Sequence, residues 1–422
     1  MSGWEPARVA AVQRRTVGVL ATSQALGGLG LAIGITVATL LGKTVTGNAF
    51  LGGLMASAQV IGAAVGAYLV AELMGRRGRR VGLMAGYAVG AIGAVVIVIG
   101  GASSFYPLLL LGAVLFGAIS ASNLQSRYAA TDLAEPKHRA RALSIVLWAT
   151  TVGAVVGPNL SGSAGALATH LGLPELTGPF LVSVVAALCA IAVVSLLLRP
   201  DPLLLARQLA DGDKPVKHTR MDIPAVLRTL REEPGVLAGV LALASAHPVM
   251  VAVMSMTPVH LGDAHVAISV ISFVISVHIL GMYFFSPVFG AAADRFGRVA
   301  MLGLGAVTLW LALLLAGTAP SGESVQITVG LFLLGLGWSM CTVAGSALVT
   351  EYTPLGVRPA VQGFADLVMN LTAAAASALG GLVVGWLGYS LLNVFAAVFT
   401  GGVLLAAMFA ARAKASASLT EV

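Results

Sequence analysis

The stretch Thr-Asp-Leu-Ala-Glu-Pro-Lys-His-Arg at residues 131–139 has a second copy in the other half of the chain, Thr-Glu-Tyr-Thr-Pro-Leu-Gly-Val-Arg at residues 350–358. In both copies an acidic residue, Asp132 or Glu351, follows a threonine and precedes an arginine by seven positions. The recurrence predicts that the chain is a duplicated unit. In an apolar chain, duplication is typical of a membrane transporter built from two related halves with its binding site at their interface.

The composition indicates a membrane protein. Hydrophobic residues make up 58% of the 422 residues and charged residues only 10%, whereas a soluble domain has roughly 25% charged residues. A soluble alternative would need a core larger than one domain supports. Apolar runs long enough to cross a hydrocarbon layer of about 30 Å as helices recur along the chain. We predict twelve spans, at residues 17–42, 48–71, 81–101, 105–131, 141–169, 174–198, 235–261, 266–293, 299–318, 325–350, 359–386 and 388–411.

The distribution of positive charge predicts the topology. Of the 24 Lys and Arg residues, all but Lys43 and Arg127 fall in the two tails, the central polar segment or alternate loops between spans. By the positive-inside rule, these loops and both termini are cytoplasmic. The net charge of +7 therefore reports orientation in the membrane, and we expect no nucleic-acid partner.

Six predicted spans lie on each side of the central polar segment. We therefore expect an N-terminal six-helix bundle at residues 1–198, a cytoplasmic linker at 199–234 and a C-terminal six-helix bundle at 235–422. Asp222 can cap a short linker helix whose apolar residues share one face, as in a helix that lies on a membrane surface. The loops outside the linker are short, so they offer no separate soluble domain for catalysis or for binding ATP.

Another sequence pattern is shared by two loops. Residues 290–298 read Gly-Ala-Ala-Ala-Asp-Arg-Phe-Gly-Arg, which resembles the signature Gly-x-x-x-Asp-Arg-x-Gly-Arg-Arg of the major facilitator superfamily. In that family the signature lies between the second and third helices, often with a weaker copy between the eighth and ninth. Here the later copy matches better, since the first has Tyr68, Glu72 and Leu73 before Gly75 fits. The resemblance covers essentially the whole chain and implies an all-α fold of twelve transmembrane helices in two pseudo-symmetric six-helix bundles.

Both loops place charged residues at a similar distance before the duplicated stretch. Glu72 precedes Asp132 by nearly the same interval as Asp294 precedes Glu351. A carboxylate at a helix end, an arginine after a tight glycine turn and a second carboxylate on a neighbouring helix can form a charge-assisted cluster. Such clusters either hold and release the cytoplasmic ends of the halves or only fix the topology. We predict two of them, one of Glu72, Arg76 and Asp132 and one of Asp294, Arg298 and Glu351.

The fifth span carries a second resemblance, to drug/proton antiporters of the same superfamily. Their pattern Gly-x-x-x-Gly-Pro-x-x-Gly-Gly is matched here except for Ser161. The same residues could instead form only a kinked helix that packs closely against a neighbour. The matching residues are Gly153, Gly157, Pro158 and Gly162.

Polar groups inside spans are costly in lipid, so they are candidates for function. Asp366 could titrate as the proton-coupling site or pair with a neighbouring helix near the cytoplasmic rim. His247 and His278 could contribute to coupling or contact the substrate, or could each hydrogen-bond a neighbouring helix. The arginine that antiporters commonly carry in the fourth helix is missing, since Ala113 stands four residues before Gly117.

By analogy with the family, the first, fourth, seventh and tenth helices line a central cavity. The polar lining that they offer here is sparse and mostly uncharged, which suits a modestly amphipathic solute better than a sugar that needs many directional hydrogen bonds. Arg127 could attract an anionic substrate or pair with Asp132 or Glu72. The candidates for the substrate cavity are Gln24, Asn123, Gln125, Arg127 and Trp338.

These observations predict a multi-pass protein of the cell membrane that is not an enzyme and uses no metal or cofactor, since no motif for those functions is found. We expect a monomeric secondary transporter that moves a small amphipathic organic solute across the lipid bilayer by alternating access. Protons are the expected coupling ion, and efflux by antiport is the expected direction. The alternatives are a metabolite importer or uniporter of the same fold and a non-transporting membrane sensor or scaffold.

Overall fold

The computed structural model describes residues 4–211 and 223–420, and α-helices dominate the secondary structure of these ranges. Short 3-10 turns at Pro136–His138 and Glu175–Thr177 precede α5 and α7. The α-helices, in chain order, are α1 Pro6–Thr46, α2 Ala49–Arg77, α3 Arg79–Ala102, α4 Tyr106–Ala129, α5 Arg139–Asn159, α6 Ser161–His170, α7 Gly178–Leu197, α8 Pro202–Asp211, α9 Ile223–Glu232, α10 Pro234–Asp263, α11 Ile268–Tyr283, α12 Ser286–Phe296, α13 Arg298–Thr318, α14 Ser324–Tyr352 and α15 Arg358–Thr420.

The long apolar runs of the sequence form the long helices. Eleven apolar helical segments of the described chain are long enough to cross a bilayer. The last of them, α15, contains two helices, because Gly388 within it has a non-helical φ of 85° and ψ of 172°. Division at Gly388 gives twelve spans, which confirms the predicted twelve-helix, all-α architecture.

The fifth and eighth spans each consist of two consecutive helices. The helices α5 and α6 meet just after Pro158, and α11 and α12 meet just before Pro287. Proline lacks the amide hydrogen that would bond to the preceding turn, and its ring crowds that turn. The break after Pro158 agrees with the kink that the sequence predicts.

Glycine residues allow α1 and α5 to approach closely. A Cβ atom placed on Gly153 would lie 2.3 Å from the amide nitrogen of Leu29, and one on Gly157 would lie 3.0 Å from that of Ile33. The two glycines therefore form the close contact that is predicted from their Gly-x-x-x-Gly spacing. A Cβ atom on Gly162 would have no described atom within 4 Å, so Gly162 takes no part in this contact.

The chain divides into two compact units. The described residues of unit 1 belong to Met1–Ala134, Ala149–Asp222 and Leu355–Leu367, and those of unit 2 belong to Glu135–Trp148, Ile223–Pro354 and Val368–Val422. Each unit thus combines most of one half of the sequence with one short segment of the other half. The bundle boundaries expected from the sequence stay a prediction.

Two short helices lie in the predicted linker. The helix α9 is amphipathic, since Val226 and Leu230 are buried whereas Arg228 and Arg231 are exposed. Its other apolar residues, Ile223 and Leu227, are exposed. Its expected cap, Asp222, lies outside the described residues. The helix α8, which the sequence did not predict, belongs to unit 1.

Candidate functional site

Two glycine turns, one in each half of the chain, show how the two halves of the sequence align. Gly78 has φ 91° and ψ 168°, and Gly297 has φ 94° and ψ 156°, a backbone region open essentially to glycine alone. The residue that follows each turn and begins the next helix is an arginine, Arg79 in α3 and Arg298 in α13. Each arginine precedes an acidic residue, Asp132 or Glu351, by the same interval in sequence. The number of residues that separates Gly78 from Gly297 also separates Arg79 from Arg298 and Asp132 from Glu351. We call this separation the constant shift, and it aligns the two halves of the sequence.

Arg79 holds Asp132 in unit 1. Its Nε donates to Asp132 Oδ2 at 2.8 Å and its Nη2 donates to Oδ1 at 3.1 Å, and both side chains are fully buried. The prediction that Arg76 and Glu72 share a cluster with Asp132 is therefore wrong. Those two residues pair with each other one turn apart near the end of α2, where Arg76 is exposed. The constant shift gives the reason, because the counterpart of Arg298 is Arg79 rather than Arg76.

Two glutamine side chains extend the contact of Arg79. Its Nη2 donates to Gln362 Oε1 at 2.6 Å, and its Nη1 donates to Gln125 Oε1 at 3.4 Å. Gln125 in turn donates from Nε2 to Asp366 Oδ2 at 2.8 Å. Because the two ends of its amide have different partners, Gln125 connects Arg79 to Asp366 in one orientation.

Arg127 forms the second buried ion pair among the described residues of unit 1. Its Nη2 lies 2.5 Å from Asp366 Oδ1, and neither side chain is exposed. Its guanidinium carbon also lies 4.8 Å from the ring centre of Tyr128, at the distance of a cation–π contact. The predicted pairing of Arg127 with Asp132 or Glu72 is wrong, because Arg79 already binds both oxygens of Asp132. Of the two roles considered for Asp366, the structure shows a pair between helices, here α4 and α15.

These contacts form one connected group, which we call the unit 1 network. It has two positive and two negative side chains, so its formal charge is balanced. All four ions are buried, and the loss of one of them would leave an uncompensated charge in a poorly solvated place. The members are Arg79, Gln125, Arg127, Asp132, Gln362 and Asp366.

Asp294, Arg298 and Glu351 form the corresponding unit 2 network, and their pairing agrees with the cluster predicted from the sequence. Nη2 of Arg298 lies 2.8 Å from Asp294 Oδ1 and 2.5 Å from Glu351 Oε1. Asp294 also accepts hydrogen bonds from the amides of Ala140 at 3.2 Å and Arg141 at 2.9 Å, in the first turn of α5. The free amides and the dipole of a helix N-terminus favour a carboxylate there.

The constant shift shows that the two copies differ at one helix start. Asp294 and Ala140 correspond to Gly75 and Pro359. A Cβ atom on Gly75 would lie 3.8 Å from Cβ of Pro359, so these two positions are also neighbours. The first copy thus lacks both the carboxylate that corresponds to Asp294 and the amide hydrogen that corresponds to that of Ala140.

The buried Arg127–Asp366 pair is a further difference. Under the same shift its members correspond to Ser346 and Leu147, neither of which can carry a charge. The two units therefore share the arginine that follows the glycine turn and its acidic partner, and only unit 1 adds a second buried ion pair at these positions.

The two predicted histidine sites lie in unit 2, each in contact with α14. Trp338 donates its indole hydrogen to Nδ1 of His247 at 2.9 Å, so Nδ1 carries no proton in this arrangement. The ring of Tyr283 lies edge-on to that of Trp338, with 5.6 Å between ring centres. His278 is fully buried, and its Nδ1 donates to the carbonyl of Leu331 at 2.7 Å, which fixes the proton on that nitrogen.

The remaining cavity candidates form separate polar contacts in unit 1. Gln24 of α1 donates to Thr150 Oγ1 of α5 at 2.9 Å. Asn123 of α4 accepts from the hydroxyl of Tyr87 in α3 at 2.9 Å. Gln24 and Asn123 are each nearly fully buried and hydrogen-bond a neighbouring helix.

Two members of the unit 1 network are absent from the sequence prediction. Arg79 is missed because the glycine-rich signature of the first copy was aligned on Glu72 and Arg76. The equal spacing from each glycine turn to its acidic residue was the signal that could have found it. Gln362 lies one helical turn before Asp366, and that spacing alone is too common to single it out.

Comparison with known proteins identifies related chains over nearly the whole length. The family model of the Major Facilitator Superfamily matches residues 20–265 and 240–421. The chain is 38% identical over 388 residues to the uncharacterized MFS-type transporter YddS of Bacillus subtilis, covering 92% of this chain and 88% of that protein. It is 30% identical over 389 residues to the riboflavin transporter RfnT of Brucella anthropi, covering 91% of this chain and 92% of that protein.

Solved structures show the same fold at low sequence identity. The proton:xylose symporter XylE superimposes with a TM-score of 0.74 and 16% identity, covering 95% of each chain. The human organic anion transporter MFSD10 superimposes with a TM-score of 0.71 and 18% identity, covering 94% of this chain and 99% of that one.

Proposed function

The chain belongs to the major facilitator superfamily, and on this premise we propose that it exports a small amphipathic organic solute by alternating access in exchange for protons. The family is one of transporters, not of enzymes. The substrate class, the direction and the coupling ion are parts of our proposal. The observation that carries it is the charge-balanced, fully buried unit 1 network.

Protonation of Asp366 would change the charge of this network from zero to +1. The positive charge of Arg127 would then lack its carboxylate partner at 2.5 Å, in surroundings where water cannot replace it. A proton on Asp366 therefore disfavours the assembled network and favours any conformation in which Arg127 is solvated. This is the linkage that a proton-driven conformational cycle needs, because the proton binds the two conformations with different affinity.

The two networks support a gating role at the ends of the helices that carry the basic loops. Charge-assisted pairs at helix ends are suited to switching. The pair is strong when both groups are shielded from water, and water can solvate each charge when the pair is exposed. The excess of Lys and Arg in these loops supports their placement, together with both termini, on the cytoplasmic side of the cell membrane. In this proposal the networks stabilise the conformation that is closed on that side.

A second candidate function is the uptake or uniport of a flat heteroaromatic solute. Ala113 stands where antiporters commonly carry an arginine, which weakens the case for exchange. The ring pair of Trp338 and Tyr283, with His247 beside it, offers aromatic and hydrogen-bonding groups of the kind that bind such solutes. The name of the related riboflavin transporter is consistent with this class.

The test is flux through the purified protein in proteoliposomes under an imposed pH gradient. A thermal-shift screen of amphipathic compounds and of riboflavin selects the solutes to be used. Proton-coupled export predicts solute movement driven by the gradient and its loss in Asp366→Asn, whereas Asp263→Asn, a change at an exposed aspartate of α10, should leave it intact. Gradient-independent flux would favour uniport, and the absence of any flux would favour the sensor or scaffold alternative.

A further inference from the structure

One carboxylate after α7 binds the beginnings of two helices. Oδ2 of Asp201 accepts a hydrogen bond from the amide of Arg80, in the first turn of α3, at 2.8 Å. Oδ1 accepts from the amides of Leu203 and Leu204, in the first turn of α8, at 3.1 and 3.2 Å. Asp201 therefore caps the helix that begins with Arg79 as well as its own helix.

A buried arginine of α8 binds the other side of the same turn. Arg207 is 4% exposed, and its Nη1 donates to the carbonyl of Gly75 at 2.8 Å, in the last turn of α2. A cation thus lies at the C-terminal end of α2 and an anion at the N-terminal end of α3, each at the helix end whose partial charge it complements.

The turn between α2 and α3 is shaped for this contact. A Cβ atom on Gly78 would lie 2.5 Å from Oδ2 of Asp201, so only glycine lets the carboxylate approach. Gly297 has nearly the same φ and ψ, but a Cβ atom there would have no described atom within 4 Å. The carboxylate contact is therefore a property of the first copy and not a general requirement of such turns.

We infer that Asp201 and Arg207 are positioning residues for Arg79, and that the segment from Asp201 to Arg207 forms part of the gate proposed above. The inference rests on that proposed function. Arg79 is the first residue of α3, between the two clamped helix ends, and its guanidinium binds Asp132, Gln125 and Gln362 at the same time. A guanidinium with this many directional bonds tolerates little movement of its backbone. Loss of the contacts that Asp201 and Arg207 make with the two helix ends therefore weakens the unit 1 network through Arg79.

The chemistry of asparagine makes Asp201→Asn a sharp test. Asparagine has one acceptor oxygen, and its other terminal atom is an NH₂ group that cannot accept from an amide. It can cap α8 or α3 but not both. Loss of one helix cap corresponds to about a five-fold shift in the equilibrium between the closed and the open network.

The readout is alkylation of a thiol introduced by Ala365→Cys, in a full-length chain that also carries Cys189→Ser and Cys341→Ala. Ala365 is fully buried beside Asp366, so its reaction rate reports opening of the network. We expect Asp201→Asn and Arg207→Gln each to raise the rate about five-fold, and Arg207→Lys to raise it less. The matched controls Asp263→Asn and Arg228→Gln, at exposed positions of α10 and α9, should not change it.

The decisive comparison repeats these changes in an Arg79→Gln background. If Asp201 and Arg207 act through Arg79, the network is already weakened and neither change adds to the rate. An equal rise in both backgrounds, an equal rise in the controls, or an unchanged rate in the chain that retains Arg79 would each overturn the inference. The labelling needs neither a substrate nor a proton gradient, so failure of the proposed transport function would appear separately, in the flux assay.

Discussion

Replacement of one member of the Arg127–Asp366 pair should cost more than replacement of both. Asp366→Asn removes one of four balanced charges and leaves the fully buried Arg127 with an uncompensated +1. Breaking a buried pair from one side costs about 3–5 kcal/mol, or roughly 150- to 5,000-fold in an equilibrium constant. Asparagine has one acceptor oxygen, so Asp366→Asn also loses one of the two hydrogen bonds that the carboxylate accepts from Arg127 and Gln125, and the unbalanced charge accounts for most of the cost.

The double change Arg127→Gln with Asp366→Asn restores neutrality. Arg79 and Asp132 then remain as a balanced pair, and both new side chains keep hydrogen-bonding groups. We therefore expect the double variant to be more stable than the sum of the single effects implies, by about 2 kcal/mol or more. Asp366→Asn should lower the free energy of unfolding more than Arg127→Gln does. In Arg127→Gln the carboxylate of Asp366 remains, and Gln125 and Arg79 still stabilise it.

The measurement is thermal unfolding of the detergent-purified protein, with the alkylation rate at Ala365→Cys as an independent readout of the network. Asp263→Asn serves as the control for an exposed aspartate. Single effects that add within about 0.5 kcal/mol would show that the two residues are not energetically linked. That result would refute the argument that charge balance holds the network together.

Three further predictions concern packing and the aromatic group. Gly78→Ala and Gly297→Ala impose the same backbone strain, about 1–3 kcal/mol each, but only the change at Gly78 adds a clash, so its melting temperature should fall further. Trp338→Phe removes the indole hydrogen bond to its imidazole partner, which should cost about 1 kcal/mol in thermal unfolding and weaken binding of riboflavin if the second candidate function is correct. Gly153→Leu forces a side chain into the backbone of α1 and should yield aggregated protein in size-exclusion chromatography, whereas Gly162→Leu should elute as the unmodified protein does.

The fold could be predicted from the sequence because hydropathy and length act locally. The twelve apolar runs needed no knowledge of distant contacts, and the kink at Pro158 follows from one missing amide hydrogen. The pairing of Asp294 with Arg298 was also accessible, because the two residues lie one helical turn apart across a short turn.

The unit 1 network could be predicted only in part, because it depends on contacts between distant residues. Arg127 and Asp366 belong to opposite halves of the sequence, and the sequence alone left several partners open for each. Asp132 was correctly identified as part of a cluster but given the wrong arginine, since a family signature fixed the alignment at Arg76. The backbone angles of the two glycine turns supplied the register that identified Arg79.

The matched residues Gly75 and Pro359 bear on how such halves can be exchanged between proteins. An aspartate at residue 75 would meet the proline ring of residue 359, which has no amide hydrogen, and an amide at residue 359 would meet a glycine that has no side-chain acceptor. An aspartate at residue 75 alone could accept only from the amide of Ala360, the counterpart of Arg141, whereas both changes together would also recreate the bond that Asp294 makes with Ala140. A chimera that joins one half of this chain to a foreign half would inherit a single member of each such couple, so these residues have to be transplanted in pairs.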